Sequence, residues 1–540
     1  MRLTKSLLLA AVVLGLISFL AALKPPVAQY PVVEFRQQEL AIRVLLQPLT
    51  GAAACQSAAQ RMAKALSSAC PDCKLTQAQC LIQLSQADSQ ALSWRDRPHP
   101  TLVLKNGVMQ FKSADLQKAS LSCQETAATG IGSCLPAGSS LSLPLSTASP
   151  SVPSAGAKTA ITSEPTTPAI LTPIHLISVA VAFALCLLIV VTTPLHAQYS
   201  LDIPASGVQK FHEKPVPRVG GLAIFLGLII GYGLLDTSYA GPHAEGTQML
   251  LKPMLFAALP AFAFGLAEDL TRSVGVAERL LATMASAVLA WWLTGVSLTQ
   301  LDTPGLDALV AVLPLSVAFT AFAVGGVANA VNIIDGFHGL ASGFFIFACV
   351  ALGLIAMQVA DPGLAQLAFL SAAVALGFFF VNYPFGRLFL GDGGAYLLGF
   401  WLAWLCVLLP MRNPEVSAWV SLLVCIYPVT EVLYSVYRRL ALRLRMGEPD
   451  RAHLHTLLRR VFSDSSSLTA HSAQAPKSAV STNALVAPGL WLFAAAPMVL
   501  AVLAFHKLEL VMLGCLASGL VYIGLYKVLS SHARMRLQSS

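Results

Sequence analysis

The sequence runs to 540 residues, 56% of them hydrophobic and 11% charged, with a formal net charge of +8 at pH 7. An average soluble domain carries about 25% charged residues, so composition excludes a water-soluble fold of this length. The basic residues flank apolar stretches, which argues against nucleic-acid binding and makes their distribution the informative quantity.

Arg2 and Lys5 precede an apolar run from Ser6 to Leu23. Such a run is a cleaved signal peptide or a signal anchor; its length, with no convincing small-x-small cleavage site, favours the anchor. Residues 24–136 then read as a small exported domain, of no function legible from its residues. Within it, Gln37–Leu46 and Ala52–Ala69 have helical character, and Thr101–Phe111 reads as a hairpin around Asn106-Gly107. Six cysteines lie in this segment: Cys55, Cys70, Cys73, Cys80, Cys123 and Cys134. An even number in an exported polar segment points to disulfides, whose pairing the sequence does not choose. Cys70-Pro71-Asp72-Cys73 has the spacing of a redox pair, but no strand precedes it, so structural disulfides are favoured. Residues 137–173, rich in Ser, Thr, Pro and Ala, read as a flexible linker.

From residue 174 to about 530 the chain is a membrane-embedded domain. Apolar spans are predicted near 174–193, 219–236, 251–267, 279–297, 306–328, 339–358, 364–381, 393–410, 416–437, 486–505 and 508–527. Each approaches the roughly 20 residues that a crossing helix needs. The expected fold class is therefore an all-α polytopic membrane protein, with eleven transmembrane helices plus the N-terminal signal anchor and the small exported cysteine-containing domain. The other five cysteines (Cys186, Cys349, Cys406, Cys425, Cys515) fall in spans, where a thiol packs as a small hydrophobe. Orientation follows from charge. Lys210, Lys214 and Arg218, then Arg438 through Arg460, then His532, Arg534 and Arg536 mark loops that the positive-inside rule places in the cytoplasm. An odd number of spans after an exported linker agrees.

The polar clusters sit on those same loops. His212-Glu213-Lys214-Pro215-Val216-Pro217-Arg218 runs into Gly220-Gly221 at a helix start, where backbone N–H groups suit a phosphate. Glu268-Asp269 closes one span. Asn329, Asn332, Asp335 and His338 share a loop with Gly336 and Gly339. Asp392 stands in a glycine turn, Gly391 to Gly394, and Arg451, His453 and His455 lie on the large basic loop. Each cluster alone reads as interfacial capping or a topology signal. Their convergence on one face points to an enzyme or a gated transporter. Hard carboxylate oxygens without thiolate partners favour Mg²⁺, or Mn²⁺, over zinc. Such a metal beside cationic loops is the apparatus of phosphoryl transfer.

The phrases KPVPRVGG, AEDLT, NAVNIIDGFHGLASG, FLGDGGAYLLGF and DRAHLH resemble, in order and over about residues 171–530, the motifs of the polyprenyl-phosphate N-acetylhexosamine-1-phosphate transferases. The histidine segment is more similar to the O-antigen, common-antigen and teichoic-linkage initiators than to the peptidoglycan branch. The resemblance implies a Mg²⁺-dependent transfer of sugar-1-phosphate from a UDP-sugar to undecaprenyl phosphate at a bacterial inner membrane, with release of UMP and initiation of a lipid-linked surface glycan. It implies catalytic roles for Glu268, Asp269 and Asp335, and metal ligation by Asp392 with Asp335. It also implies substrate contacts from Lys214, Arg218, Asn329, Asn332, His338, Arg451, His453 and His455. Glu268 stands where the family usually has Asp, His338 where Asp or Asn is commoner, and Thr456 where a last histidine is usual. The partners expected are the two substrates and the bilayer; a homodimer is compatible with the sequence. The competing readings are a polytopic transporter, which would show polar residues in span centres, broken helices and repeats, and a non-catalytic sensor on the same scaffold.

Overall fold

The computed structural model describes residues 28–37, 40–46, 49–50, 56, 59–60, 63, 74–81, 101–104, 107–112, 133–135, 173–202, 215–235, 237, 244–444, 452–469 and 482–539. The chain divides into two compact units, residues 1–164 and 165–540.

The first unit holds an antiparallel sheet of seven strands: β1 Ala28–Gln37, β2 Leu40–Leu46, β3 Leu49–Thr50, β4 Lys74–Leu81, β5 Thr101–Leu104, β6 Gly107–Lys112 and β7 Ser133–Leu135. Their order is β3-β1-β2-β6-β5-β7, with β4 also on β1. The hairpin expected at 101–111 is present, with Leu104 opposite Gly107. The helix expected over Gln37–Leu46 is not: Leu40–Leu46 pairs with β1 in the register Phe35↔Ile42 and Val33↔Val44. A seven-residue segment, apolar but for Arg43, is too short for periodicity to separate helix from strand. β-branched Ile42 and Val44, facing Phe35 and Val33 across the ladder, settle it. Val33, Phe35, Ala59 and Ala63 form the small core. The all-α expectation thus holds for the second unit and fails for the first. The signal anchor, the linker and the cysteine side chains of this unit lie outside the described residues.

The second unit is helical: α1 Pro173–Val191, α2 Thr193–Ser200, α3 Gly220–Leu234, α4 Ala244–Ala257, α5 Leu259–Thr271, α6 Val276–Thr294, α7 Leu306–Val310, α8 Leu313–Ile334, α9 Leu340–Gln358, α10 Pro362–Asn382, α11 Gly391–Arg412, α12 Ala418–Val424, α13 Ile426–Ala441, α14 Leu454–Thr469, α15 Thr482–Ala504 and α16 Leu508–Ser539. Among the described residues eight are long and apolar enough to cross a membrane, or ten if two bent pairs each count as one. The fifteen-residue α3 is a shorter apolar helix. All eleven expected spans fall on these helices.

Helix α11 is the axis of the bundle. Nearly every side chain from Gly393 to Pro410 is buried, including Trp401 and Trp404. A helix apolar on all sides belongs inside a bundle. Small residues let its neighbours come close, as is usual between membrane helices. A Cβ on Gly399 would lie 2.5 Å from Ala328 Cα of α8, and one on Gly265 would lie 2.6 Å from the Asp392 carbonyl. These contacts fix where Asp392 stands relative to α5 and α8.

The two breaks have local causes. Helices α4 and α5 meet at 45°, and α12 and α13 at 78°. Pro260 and Pro428 each lack the N–H that would continue the ladder across the joint, and each ring crowds the carbonyl four residues earlier.

Candidate active site

The site is assembled where the C-terminal ends of α5 and α8 meet the start of α11. Gly391 has φ of 74°, and a side chain there would run into the Arg218 carbonyl and the Asp269 carboxylate. The segment before α3 pairs with the segment before α11. Phe389 N–H donates to the Pro217 carbonyl at 2.8 Å, and Gly220 and Gly221 N–H donate to the Phe389 and Leu390 carbonyls at 2.9 Å. This corrects the expectation for the two glycines. Their N–H groups are used by the protein, and what they contribute is close packing, Gly220 against Phe378 and Gly221 against Gly394.

Asp269, 1% exposed, holds this junction together. Its Oδ1 accepts from Arg218 Nε at 3.0 Å and from Asp392 N–H at 2.8 Å, and its Oδ2 accepts from Gly393 N–H at 2.8 Å. Arg218 Nη2 adds an ion pair at 2.9 Å. The carboxylate therefore sits on the positive N-terminal end of α11 with a guanidinium beside it. Every one of these contacts positions another site residue.

Asp392 is more open. Arg279, from the first turn of α6, pairs with its Oδ2, and Asn332 Nδ2 donates to its Oδ1 at 3.0 Å. Arg218 Nη2 lies 4.0 Å away. Tyr396, one turn along α11, stacks under the Arg279 guanidinium at 5.6 Å and donates from its hydroxyl to Asn329 Oδ1 at 3.3 Å. Asn329, Asn332, Arg218 and Asp392 are thus brought into one cluster. Asp335 caps α8 beside it, and its carboxylate has no partner among the described residues. Burial pushes this carboxyl up to about 7; the Asp269 charge adds to the rise and Arg218 opposes it.

Glu268 is turned to a different task. Its Oε2 accepts from Val274 N–H at 2.7 Å and closes the short α5–α6 connection, in which Arg272 takes a left-handed φ of 51°. Glu268→Gln keeps an acceptor for that amide. We expect it to retain turnover within a few-fold and to lose about 1 kcal/mol of stability, the worth of one weakened hydrogen bond. Loss of turnover by 100-fold or more, at unchanged thermal stability, would return Glu268 to the chemistry.

His338 and the histidine segment frame the cluster. His338 Nδ1 lies 3.2 Å from the Pro384 carbonyl and its ring stands against Phe389, so it braces the segment leading into Gly391. Asn382 holds the same segment, accepting from Gly339 N–H at 2.6 Å and donating to the Leu388 carbonyl at 2.8 Å. The His453 and His455 rings stack at 5.3 Å, and His455 meets Phe337 edge-on at 5.4 Å. The histidine pair therefore reaches the Asp335 loop. Lys214 and Arg451 lie outside the described residues.

Among the described residues no three His, Cys, Asp or Glu side chains form a closed metal cage. Mg²⁺ needs none, since it is usually held by one or two carboxylates together with phosphate oxygens and water. A desolvated, unpartnered Asp335 and a partly exposed Asp392 are a fitting donor pair for an ion that arrives with a nucleotide.

Two participants escaped the sequence reading. Arg279 sits at the lip of a span, where it passes for a topology charge. Glu431, 1% exposed, lies inside the bent α12–α13 span and binds His453 Nδ1 at 2.9 Å. An ionisable residue within a span is a functional-site signal by default, and that signal was present in the sequence.

Residues 251–410 match the model of glycosyl transferase family 4, a stretch that contains Glu268, Asp269, Arg279, Asn332, Asp335 and Asp392. A probable undecaprenyl-phosphate N-acetylglucosaminyl 1-phosphate transferase of Bacillus subtilis is 25% identical over 288 residues, covering 52% of this chain and 77% of its own. The undecaprenyl-phosphate alpha-N-acetylglucosaminyl 1-phosphate transferase of Escherichia coli K12 is 26% identical over 265 residues, and that of Salmonella typhimurium 28% over 257; each match covers 47% of this chain and 67% of the relative. By these matches, the membrane-embedded region of this chain is similar to glycosyl transferase family 4 and to undecaprenyl-phosphate N-acetylglucosaminyl 1-phosphate transferases.

Proposed function

We propose that the protein transfers a sugar-1-phosphate, an N-acetylhexosamine-1-phosphate, from a UDP-sugar to undecaprenyl phosphate, releasing UMP and starting a lipid-linked surface glycan. The observation that carries the reading is the pairing of Asp392 with Arg279 and Asn332 at one end of the bundle, backed by Asp269 and Arg218. Two guanidiniums offset the charge of a pyrophosphate, and two carboxylates orient those guanidiniums. The lipid phosphate, with a second pKa of about 6, is already largely dianionic near neutral pH and needs no strong base. One of its oxygens attacks the β-phosphorus, the bond to the bridging oxygen breaks, and UMP leaves with that oxygen. Arg218 and Arg279 bind the phosphates and hold attacking and leaving oxygens in line. Mg²⁺, held by Asp392 and Asp335, supplies further charge neutralisation when bound. Asn329 and Asn332 fix the carboxylate loop, and the His453/His455 pair closes the anion-binding side.

The site end also carries Arg438 and Arg439 at the close of α13, which supports a cytoplasmic site in a bacterial inner membrane. A transporter reading draws on the two bent helix pairs and on Glu431 within a span. Both bends, however, deliver acidic residues toward one end of the bundle, whereas a transporter gathers them at the midplane. The test is purified protein with undecaprenyl phosphate and a panel of UDP-hexosamines, with and without EDTA. UMP release that needs one UDP-sugar, the lipid and Mg²⁺ is expected. No release with any donor, or release that persists in EDTA, contradicts the reading or its metal respectively.

A further inference from the structure

Glu431 is a buried carboxylate whose circumstances no packing argument explains. It lies six residues past the 78° break between α12 and α13, with 1% of its surface exposed. Its Oε1 accepts from His453 Nδ1 at 2.9 Å and from Leu454 N–H at 3.2 Å. Its Oε2 is buried against the Tyr522 hydroxyl without a well-formed hydrogen bond. A buried carboxylate in such surroundings costs stability that an apolar side chain of similar volume would not. The benefit must lie in what the carboxylate holds. It holds one end of a short relay. His453 stacks on His455 with ring planes 12° apart, and His455 stands against Phe337 and Gly336, next to Asp335.

We propose that Glu431 is a positioning residue for His453: it accepts the Nδ1 proton, fixes the ring, and commits Nε2 to the anionic groups of the substrate. An imidazole whose Nδ1–H faces a carboxylate presents Nε2 on its opposite edge, where the imidazolium form carries a second N–H to donate. Such a ring, set beside the Asp335 loop, suits a phosphate oxygen. The role in turnover rests on the transferase reading above; the pairing itself does not.

Two measurements test it. In full-length protein carrying ¹⁵N-histidine, the His453 signals are assigned by their loss in His453→Ala. Nδ1 should be protonated in the wild type, and Glu431→Ala should shift it toward the unprotonated range. An unprotonated Nδ1 in the wild type overturns the proposal whether or not any UDP-sugar is turned over. The second is a double-mutant cycle on UMP release. Glu431→Gln keeps the shape and the Oε1 acceptor for Leu454 and His453 and removes only the charge, so thermal stability should hold. Its kcat/KM should fall about 10–100-fold, the range for altering the group that orients an imidazole. The double variant with His453→Ala should be no slower than His453→Ala alone. Additive losses, or a Glu431→Gln variant with normal kcat/KM, would show that Glu431 does not act through His453. Absence of turnover in the wild type would count against the transferase reading and leave the spectrum to decide the pairing.

Discussion

Asp392→Asn is expected to lower turnover about 10²–10³-fold, comparable to losing a single electrostatic stabiliser of developing charge. The carboxylate stands between Arg279 and Asn332, with Arg218 at 4.0 Å. Removing its charge frees the Arg279 guanidinium from its anchor and takes away one of two proposed Mg²⁺ ligands. The fold should survive. Asp392 is 21% exposed on its side chain, where an ion pair adds about 1 kcal/mol at most, and the amide keeps the acceptor for Asn332. UMP release and thermal unfolding, measured side by side, check both halves. A variant with near-normal turnover would remove Asp392 from the chemistry.

Asp269→Asn should behave differently, although both aspartates look alike in sequence. Its carboxylate is fully used, by Arg218 and by the Asp392 and Gly393 amides. An amide nitrogen placed at either oxygen would face an N–H donor, and the half-buried Arg218 would lose its buried counter-ion. Breaking one partner out of a buried pair costs about 3–5 kcal/mol. The variant should therefore lose stability and turnover together, with a clear drop in unfolding temperature. Turnover lost at full stability would make Asp269 a participant in the chemistry instead of the clamp that the geometry shows.

The contrast explains what the sequence conveyed. Apolar spans are written in long runs, so all eleven fell on helices, and the chemistry-bearing loops followed from charge. Which carboxylate does what is not written locally. Glu268 and Asp269 are adjacent, yet one closes a connection and the other caps α11, because the helical turn aims them at different neighbours. The glycines of the 215–221 segment read as phosphate seats; in the fold their amides pair with residues 389 and 390, more than 160 positions away. Arg279 became visible only through its ion pair across α6 and α11. Leu40–Leu46 read as part of a helix because seven residues, six of them apolar, carry no decisive period. The strand partner that settles it lies on β1.

The most direct test follows the atom that moves. Purified protein in lipid is given undecaprenyl phosphate, Mg²⁺ and the UDP-sugar that supports turnover, carrying ³²P at the β-phosphate. Transfer of sugar-1-phosphate places the label in the organic phase, attached to the lipid, and leaves unlabelled UMP in water. Label that stays with the nucleotide as UDP while sugar reaches the lipid would show attack at the sugar carbon. That result would contradict a site built to receive attack at phosphorus.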